Sequence, residues 1–214
     1  MEVPRTHYAR SGDLQIAYQS VGQGPLDIIL VSPYLSNIEM VWELPSFSRL
    51  FGQISSFARL ILFDRRGSGA SERGARSFLP TPEAWTEDVL AVLDAVGSTR
   101  AAVFAEGDAG PTAIRLAARH PDRVQALVLG NTWPRFREAP DYPGGMQDVV
   151  ADALLEQIEG QWGTTDLVGD MFPLLRRDAE TTRRLALLLR ADGIPVTPHL
   201  ITVKERCLLV GKGH

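Results

Sequence analysis

Four short stretches of the chain are apolar almost without interruption: Asp27-Ile28-Ile29-Leu30-Val31, Leu60-Ile61-Leu62-Phe63, Ala101-Ala102-Val103-Phe104 and Ala126-Leu127-Val128-Leu129. Runs that short, lacking polar alternation, predict strands of a parallel sheet covered on both faces. Thr6 to Ala9 and Leu14 to Gln19 instead alternate apolar and polar residues around the turn Ser11-Gly12-Asp13. Alternation predicts an antiparallel hairpin at the sheet edge. Between the runs the period becomes helical. Pro45 to Phe57 carries Phe47, Leu50, Phe51, Ile54 and Phe57 as a stripe. Thr81-Pro82-Glu83-Ala84 opens a second helix with a capping hydroxyl, a first-turn proline and an acid; it passes Trp85, Val89, Val92 and Val96 and stops at Gly97. A third helix follows the run at 101–104 and ends at His120-Pro121, because proline cannot continue it. Strands and helices in this alternation predict a doubly wound, mostly parallel α/β sheet.

The pattern changes after Thr132. Trp133 to Gly145 is rich in proline and glycine, which predicts an irregular loop. Helical stretches follow at Gln147 to Glu159, Thr165 to Leu175 and Glu180 to Arg190, then a last β-like patch at Arg206-Cys207-Leu208-Leu209-Val210. The expected organisation is a core at 1–135, a helical cap at 136–195 and a divergent tail or late strand at 196–214.

Composition narrows the function classes. A chain of 214 residues, 44% of them hydrophobic, supports one well-buried domain. Its net charge of −4, with no basic block, argues against a nucleic-acid partner held through phosphates. Arg176-Arg177 and Arg183-Arg184 fall on helical stretches among acids and read as solvated faces. Cys207 stands alone, so no intrachain disulfide forms, and no Cys/His spacing suggests a metal site. Met1-Glu2-Val3-Pro4-Arg5 is not the start of a secretory leader, and no run reaches membrane-spanning length. The expectation is a cytoplasmic protein with no cofactor and no membrane partner.

Chemistry concentrates at Ala105-Glu106-Gly107-Asp108-Ala109-Gly110. Its spacing is that of a nucleophile elbow, small-x-nucleophile-x-small, in which a strand turns sharply into a helix and exposes one reactive side chain. Ala105 and Ala109 fill the small positions, and Gly107 stands where the nucleophile belongs. Moving the register by one would make Asp108 a carboxylate nucleophile. That register needs a small residue where the chain has Glu106. Asp108 reads better as a helix N-terminal aspartate, favoured by the dipole.

Several segments together resemble the α/β-hydrolase superfamily. Asp64-Arg65-Arg66-Gly67-Ser68-Gly69-Ala70-Ser71 is similar to its D-x-R-G-x-G-x-S turn, the elbow follows the next strand, and His120-Pro121-Asp122-Arg123-Val124 closes the elbow helix. The resemblance spans roughly residues 5 to 135. Within it, Tyr8-Ala9-Arg10-Ser11-Gly12-Asp13, Phe57-Ala58-Arg59-Leu60-Ile61-Leu62-Phe63-Asp64 and Asp94-Ala95-Val96-Gly97 resemble bacterial hydrolase-like domains found N-terminal to class III adenylate/guanylate cyclase domains. No cyclase activity carries over to these residues.

The resemblance implies a serine at the position of Gly107. It also implies backbone oxyanion donors, here Tyr34 within Ser32-Pro33-Tyr34-Leu35 and Asp108. The family's acid and histidine follow two further strands beyond the cap, where this sequence stops, so a C-terminally truncated sheet is expected. His7, His120, His199 and His214 do not substitute, and neither Asp170 nor Asp178 can be assigned as the orienting acid. The expected function is a non-catalytic ligand-binding or regulatory module whose pocket is lined by Tyr34, Glu106, Gly107, Asp108 and Trp133, with Trp133 fitting the pocket and the core equally. Its partner would be a small apolar ligand or ester, and a homodimer or partner domain would cover the open sheet. The alternative is a small-molecule ester hydrolase.

Overall fold

The alternating N-terminal pattern folds as β1 (His7–Ser11) and β2 (Leu14–Val21), paired antiparallel with Ala9 opposite Ile16. The apolar runs become β3 (Asp27–Val31), β4 (Arg59–Phe63), β5 (Ala101–Glu106) and β6 (Val124–Gly130). In this computed structural model the described residues are 3–33, 36–74 and 81–171, with 179, 180, 182, 183 and 186 beyond them. The sheet order is β1-β2-β4-β3-β5-β6. β2 pairs antiparallel with β4, and the remaining neighbours from β4 to β6 are parallel. Chain order reverses at β3, which has β4 on one side and β5 on the other. Such a reversal opens a crevice beyond the carboxyl ends of the strands.

The alternation of side chains along each strand divides the core in two. Ile29, Val31, Ile61 and Phe63 lie against Val89, Val92 and Leu93 of α2 (Pro82–Ala95) and Ala113 and Leu116 of α3 (Gly110–Arg119). Leu60 and Leu62 point the other way, toward Trp42 and toward Phe51 of α1 (Pro45–Ser55). α2 starts as its sequence specifies, with the Thr81 hydroxyl accepting from the Ala84 N–H at 3.2 Å and proline in the first turn. The α1 stripe is wider than the surface it buries. Phe51 meets Trp42 edge-on with ring centroids 5.3 Å apart, while Phe47, Leu50 and Phe57 are exposed.

Polar groups inside the sheet are paired. The buried Gln19 amide accepts from Trp42 Nε1 at 2.7 Å and donates to the Pro4 carbonyl at 3.0 Å. Arg59, the first residue of β4, forks onto Asp27, the first residue of β3, at 2.7 and 2.6 Å, and donates to the Val96 carbonyl at 3.0 Å. The Arg59 guanidinium holds the Asp27 carboxyl below its ordinary range.

β6 departs from its sequence pattern. Its run reads as a strand covered on both faces, yet β6 ends the sheet among the described residues, and Val128 and Leu129 are 49% and 41% exposed.

The chain divides into two compact units, one running to Pro134 and the other starting at Arg135. In the second, α4 (Asp148–Gln161) and α5 (Thr165–Met171) bury Ile158 and Leu167 beside Leu154 and Trp162. The loop before α4 is more ordered than its proline and glycine content suggests: Arg137 bridges to Met146 and reaches Asp148 and Asp152 at 2.6 and 2.5 Å. The patch at Arg206 to Val210 lies outside the described residues. No helix among the described residues is long and apolar enough to cross a membrane.

Candidate functional site

β5 and β3 run in parallel with Val31 beside Ala105, so the two strands deliver their carboxyl ends to one side of the crevice. Beyond Ala105 the chain passes through the exposed Glu106, turns at Gly107–Ala109 and enters α3. Gly107 has φ +57°, a left-handed conformation that side chains adopt at a cost. A Cβ built there meets nothing within 4 Å. The turn of a nucleophile elbow is therefore formed, and the place for its side chain is open.

The surrounding contacts hold that turn tightly. The Thr132 hydroxyl, just beyond β6, donates to the Gly107 carbonyl in a short hydrogen bond. Gly110 approaches the same threonine so closely that an added Cβ would overlap Thr132 Oγ1. Glycine at 110 is therefore a packing requirement that brings α3 against the end of β6.

Asp108 does not point free into the crevice. Its Oδ2 accepts from Arg65 Nη1 at 2.7 Å, and the two side chains are 10% and 3% exposed. The guanidinium also lies over the Trp85 ring of α2, 4.8 Å from its centroid. A carboxylate engaged this way is held back from attack on a substrate. The Arg65 partnership was missed from sequence because Arg65 occupies the variable position of the D-x-R-G turn. Its only signal was a second arginine beside Arg66.

The turn after β4 that supplies Arg65 is densely bonded. The Asp64 carboxyl accepts from the Ile38 N–H at 3.0 Å and from the Ala70 N–H at 2.9 Å. Burial pushes Asp64 up to about 7, against those hydrogen bonds and with Glu39 adding to the rise. The Ser71 hydroxyl donates to the Asp64 carbonyl at 2.6 Å, and the Ser68 hydroxyl donates to the Ser36 carbonyl at 2.8 Å. Arg66 forks onto the buried Asp88 of α2 at 2.8 and 2.6 Å. This network fixes residues 36–38, which follow the segment carrying Tyr34.

The remaining sequence-derived candidates differ in what the structure describes of them. Tyr34 lies outside the described residues, as do His199, His214 and Asp178. Trp133 is half-buried in the connection after β6, with Gly107 and Asp108 tied to neighbouring elements. His120 caps the carboxyl end of α3, about 15 Å along the helix from the elbow at 1.5 Å per residue. His7 stacks on Tyr18 in β1, four strand spacings or roughly 19 Å from β5. Asp170 sits on α5, where Gln157 donates to it at 3.2 Å. Among the described residues no histidine stands at the elbow, and no group of His, Cys, Asp and Glu is placed to hold a metal ion.

Known proteins share this arrangement. A family model described as the alpha/beta hydrolase fold matches residues 38–165. A protein named as a carbamate hydrolase, RutD, from Caulobacter sp. strain K31 is 31% identical over 131 residues, covering 59% of this chain and 46% of its own. The pimeloyl-(acyl-carrier protein) methyl ester esterase of Nitrosospira multiformis is 28% identical over 183 residues, covering 85% of this chain and 60% of its own. The chain thus spans only part of the length of the curated relatives it matches. Among solved structures, a hydrolase from Pseudomonas aeruginosa PA01 superposes with a TM-score of 0.70 at 21% identity, over 95% of this chain and 74% of that one. The sheet order, the elbow turn and the matched length agree: the chain belongs to the alpha/beta hydrolase fold family.

Proposed function

We propose that the chain is a ligand-binding member of this family whose elbow no longer supplies a nucleophile. Its crevice, beyond the carboxyl ends of β3 and β5, would take a small apolar ligand or ester and hold it without turnover. The reading rests on Gly107: the left-handed turn is kept, the space for a side chain is open, and there is no side chain to attack. The Arg65–Asp108 pair supports it by occupying the neighbouring carboxylate. Backbone donors such as the Asp108 N–H need no particular side chain, so binding of a carbonyl or carboxylate oxygen survives the loss of the nucleophile. Glu106, Gly107, Trp133 and the backbone of Asp108 are the proposed lining.

A second reading is favoured by the relatives, whose names are carbamate hydrolase and esterase. In it the chain hydrolyses small esters, with Asp108 released from Arg65 to act as nucleophile. Turnover of short p-nitrophenyl esters separates the two. The binding reading expects background rates only. Saturable hydrolysis that disappears in Asp108→Asn establishes the enzyme instead. Gly107→Ser sharpens the result: the variant should remain unlabelled by a fluorophosphonate, because among the described residues no histidine stands beside position 107, and a serine without a base is a poor nucleophile. Covalent labelling would mean that a working base is present.

A further inference from the structure

Asp64 is a fully buried carboxyl that no cation pairs among the described residues. Arg65 and Arg66 of its own turn are committed to Asp108 and Asp88, and Glu72 accepts from the Gln15 N–H. Glu39 of the facing loop accepts from the Thr6 hydroxyl and opposes a second negative charge nearby. β2, whose Ala17 carbonyl accepts from the Asp64 N–H, carries no charged residue, and its Tyr18 stacks on His7. Nothing around Asp64 compensates an ionised carboxylate except hydrogen bonds.

The hydrogens of the two serines beside it can be counted. Ser68 gives its one hydroxyl hydrogen to the Ser36 carbonyl at 2.8 Å and accepts from the Ser36 N–H at 3.3 Å. The 3.2 Å contact between the two hydroxyls is then donated by Ser36. Ser36 Oγ also accepts from the Arg65 N–H at 3.2 Å and bonds the Asp64 carboxyl. With the Ser36 hydrogen already given to Ser68, the hydrogen in that last bond belongs to Asp64. Every hydroxyl hydrogen and lone pair of both serines is used in this arrangement, and the carboxyl oxygens still accept from Ile38 and Ala70. An ionised Asp64 would take the Ser36 hydrogen instead, leaving the two serine oxygens in contact with none between them.

We infer that Asp64, Ser36 and Ser68 form a proton-operated clasp between the turn after β4 and the loop at 36–38, closed while the carboxyl is neutral and released when it ionises. On release the Asp64 proton passes to solvent water and the Ser36 hydroxyl turns toward the carboxylate. Hydration of the new charge then competes with the Ile38 and Ala70 N–H groups. The loop follows β3, whose carboxyl end opens on the crevice, so the clasp sets how firmly that wall is held. This does not depend on whether the crevice binds its ligand or hydrolyses it. Burial favours the neutral acid and brings Asp64 to about 7, which puts the change near neutral pH.

Backbone amide resonances of the full chain, followed by NMR from about pH 5 to about pH 9, test this. The Ile38, Ala70 and Arg65 N–H signals should move together with one midpoint at about 7. Arg65 is the telling one, since its amide bonds the Ser36 hydroxyl and not the carboxyl. Protection of Ile38 and Ala70 against hydrogen exchange should fall roughly tenfold per pH unit above the midpoint, the slope of one proton lost on opening. It should also stay below that of Leu62 in β4, which marks local release and not unfolding. Ser68→Ala removes the oxygen that takes the Ser36 hydrogen in the neutral arrangement alone, and should lower the midpoint by roughly half to one pH unit. Ser71→Ala, a hydroxyl of the same turn outside the relay, should leave it in place. Should a serine variant fail to fold, the titration and exchange of the unmodified chain decide. No shared midpoint in this range, movement of Ile38 and Ala70 without Arg65, protection indifferent to pH, or the same midpoint in Ser68→Ala and Ser71→Ala would each overturn the inference.

Discussion

The turns after β4 and β5 both leave a buried parallel strand for the same crevice, and they are held by different means. After β4, side chains do the holding. Asp64 ties two loops, Ser68 and Ser71 bond backbone carbonyls, and Arg66 reaches into α2. After β5, the backbone conformation of Gly107, the Thr132 hydroxyl and the close seat of Gly110 define the turn, and the reactive position is bare. The side chains that position the crevice are thus in place, while position 107 carries none. Scaffold and chemistry are separable here, because the scaffold's contacts also stabilise the fold and the nucleophile's do not.

That contrast gives its largest effect at Arg66. Arg66→Ala leaves the Asp88 carboxylate, 1% exposed, without its bidentate partner, and should cost about 3–5 kcal/mol in urea unfolding. A cost well below that range would mean that the turn after β4 is no better anchored than the elbow.

A smaller, pH-dependent effect belongs to Asp64. Burial raises its folded-state value from 3.8 to about 7, so the folded chain holds a proton that the unfolded chain releases. The resulting stabilisation is full below 3.8 and is lost as pH climbs through about 7. Thermal midpoints of the unmodified protein should therefore decline relative to those of Asp64→Asn across that interval. Parallel profiles would show that Asp64 ionises as an exposed carboxylate does.

The smallest effect is expected at the elbow. Gly107→Ala places a Cβ at φ +57° where nothing stands within 4 Å. Only the left-handed backbone term remains, about 1–2 kcal/mol by chemical denaturation. A much larger loss would show that the turn needs glycine for packing and is not a vacated side-chain position.

The sequence made the strands legible because each is a contiguous apolar run, and made α2 legible because Thr81 and Pro82 mark its start. The elbow was legible for the same reason: its small residues are local. Arg65 was not, since its partner Asp108 lies beyond an intervening helix and strand, and nothing local in an arginine announces which carboxylate it will meet. The exposure of Val128 and Leu129 among the described residues was not legible in the run, which describes a preference for burial. The α1 stripe overstated burial in the same way, with Phe51 inside and Phe47, Leu50 and Phe57 outside.

Arg59 has a consequence for how the core comes apart. One guanidinium joins the first residues of β3 and β4 to the carboxyl end of α2. None of the three ends can fray by itself without stranding a charged or polar group, so local opening is replaced by a shared event. The amino-terminal ends of the central strands and the last turn of α2 are thereby coupled, and opening one of them disturbs the bonds of the other two. At the opposite end of the same strands, the crevice is free to vary in chemistry because the rigidity of the sheet is secured away from it.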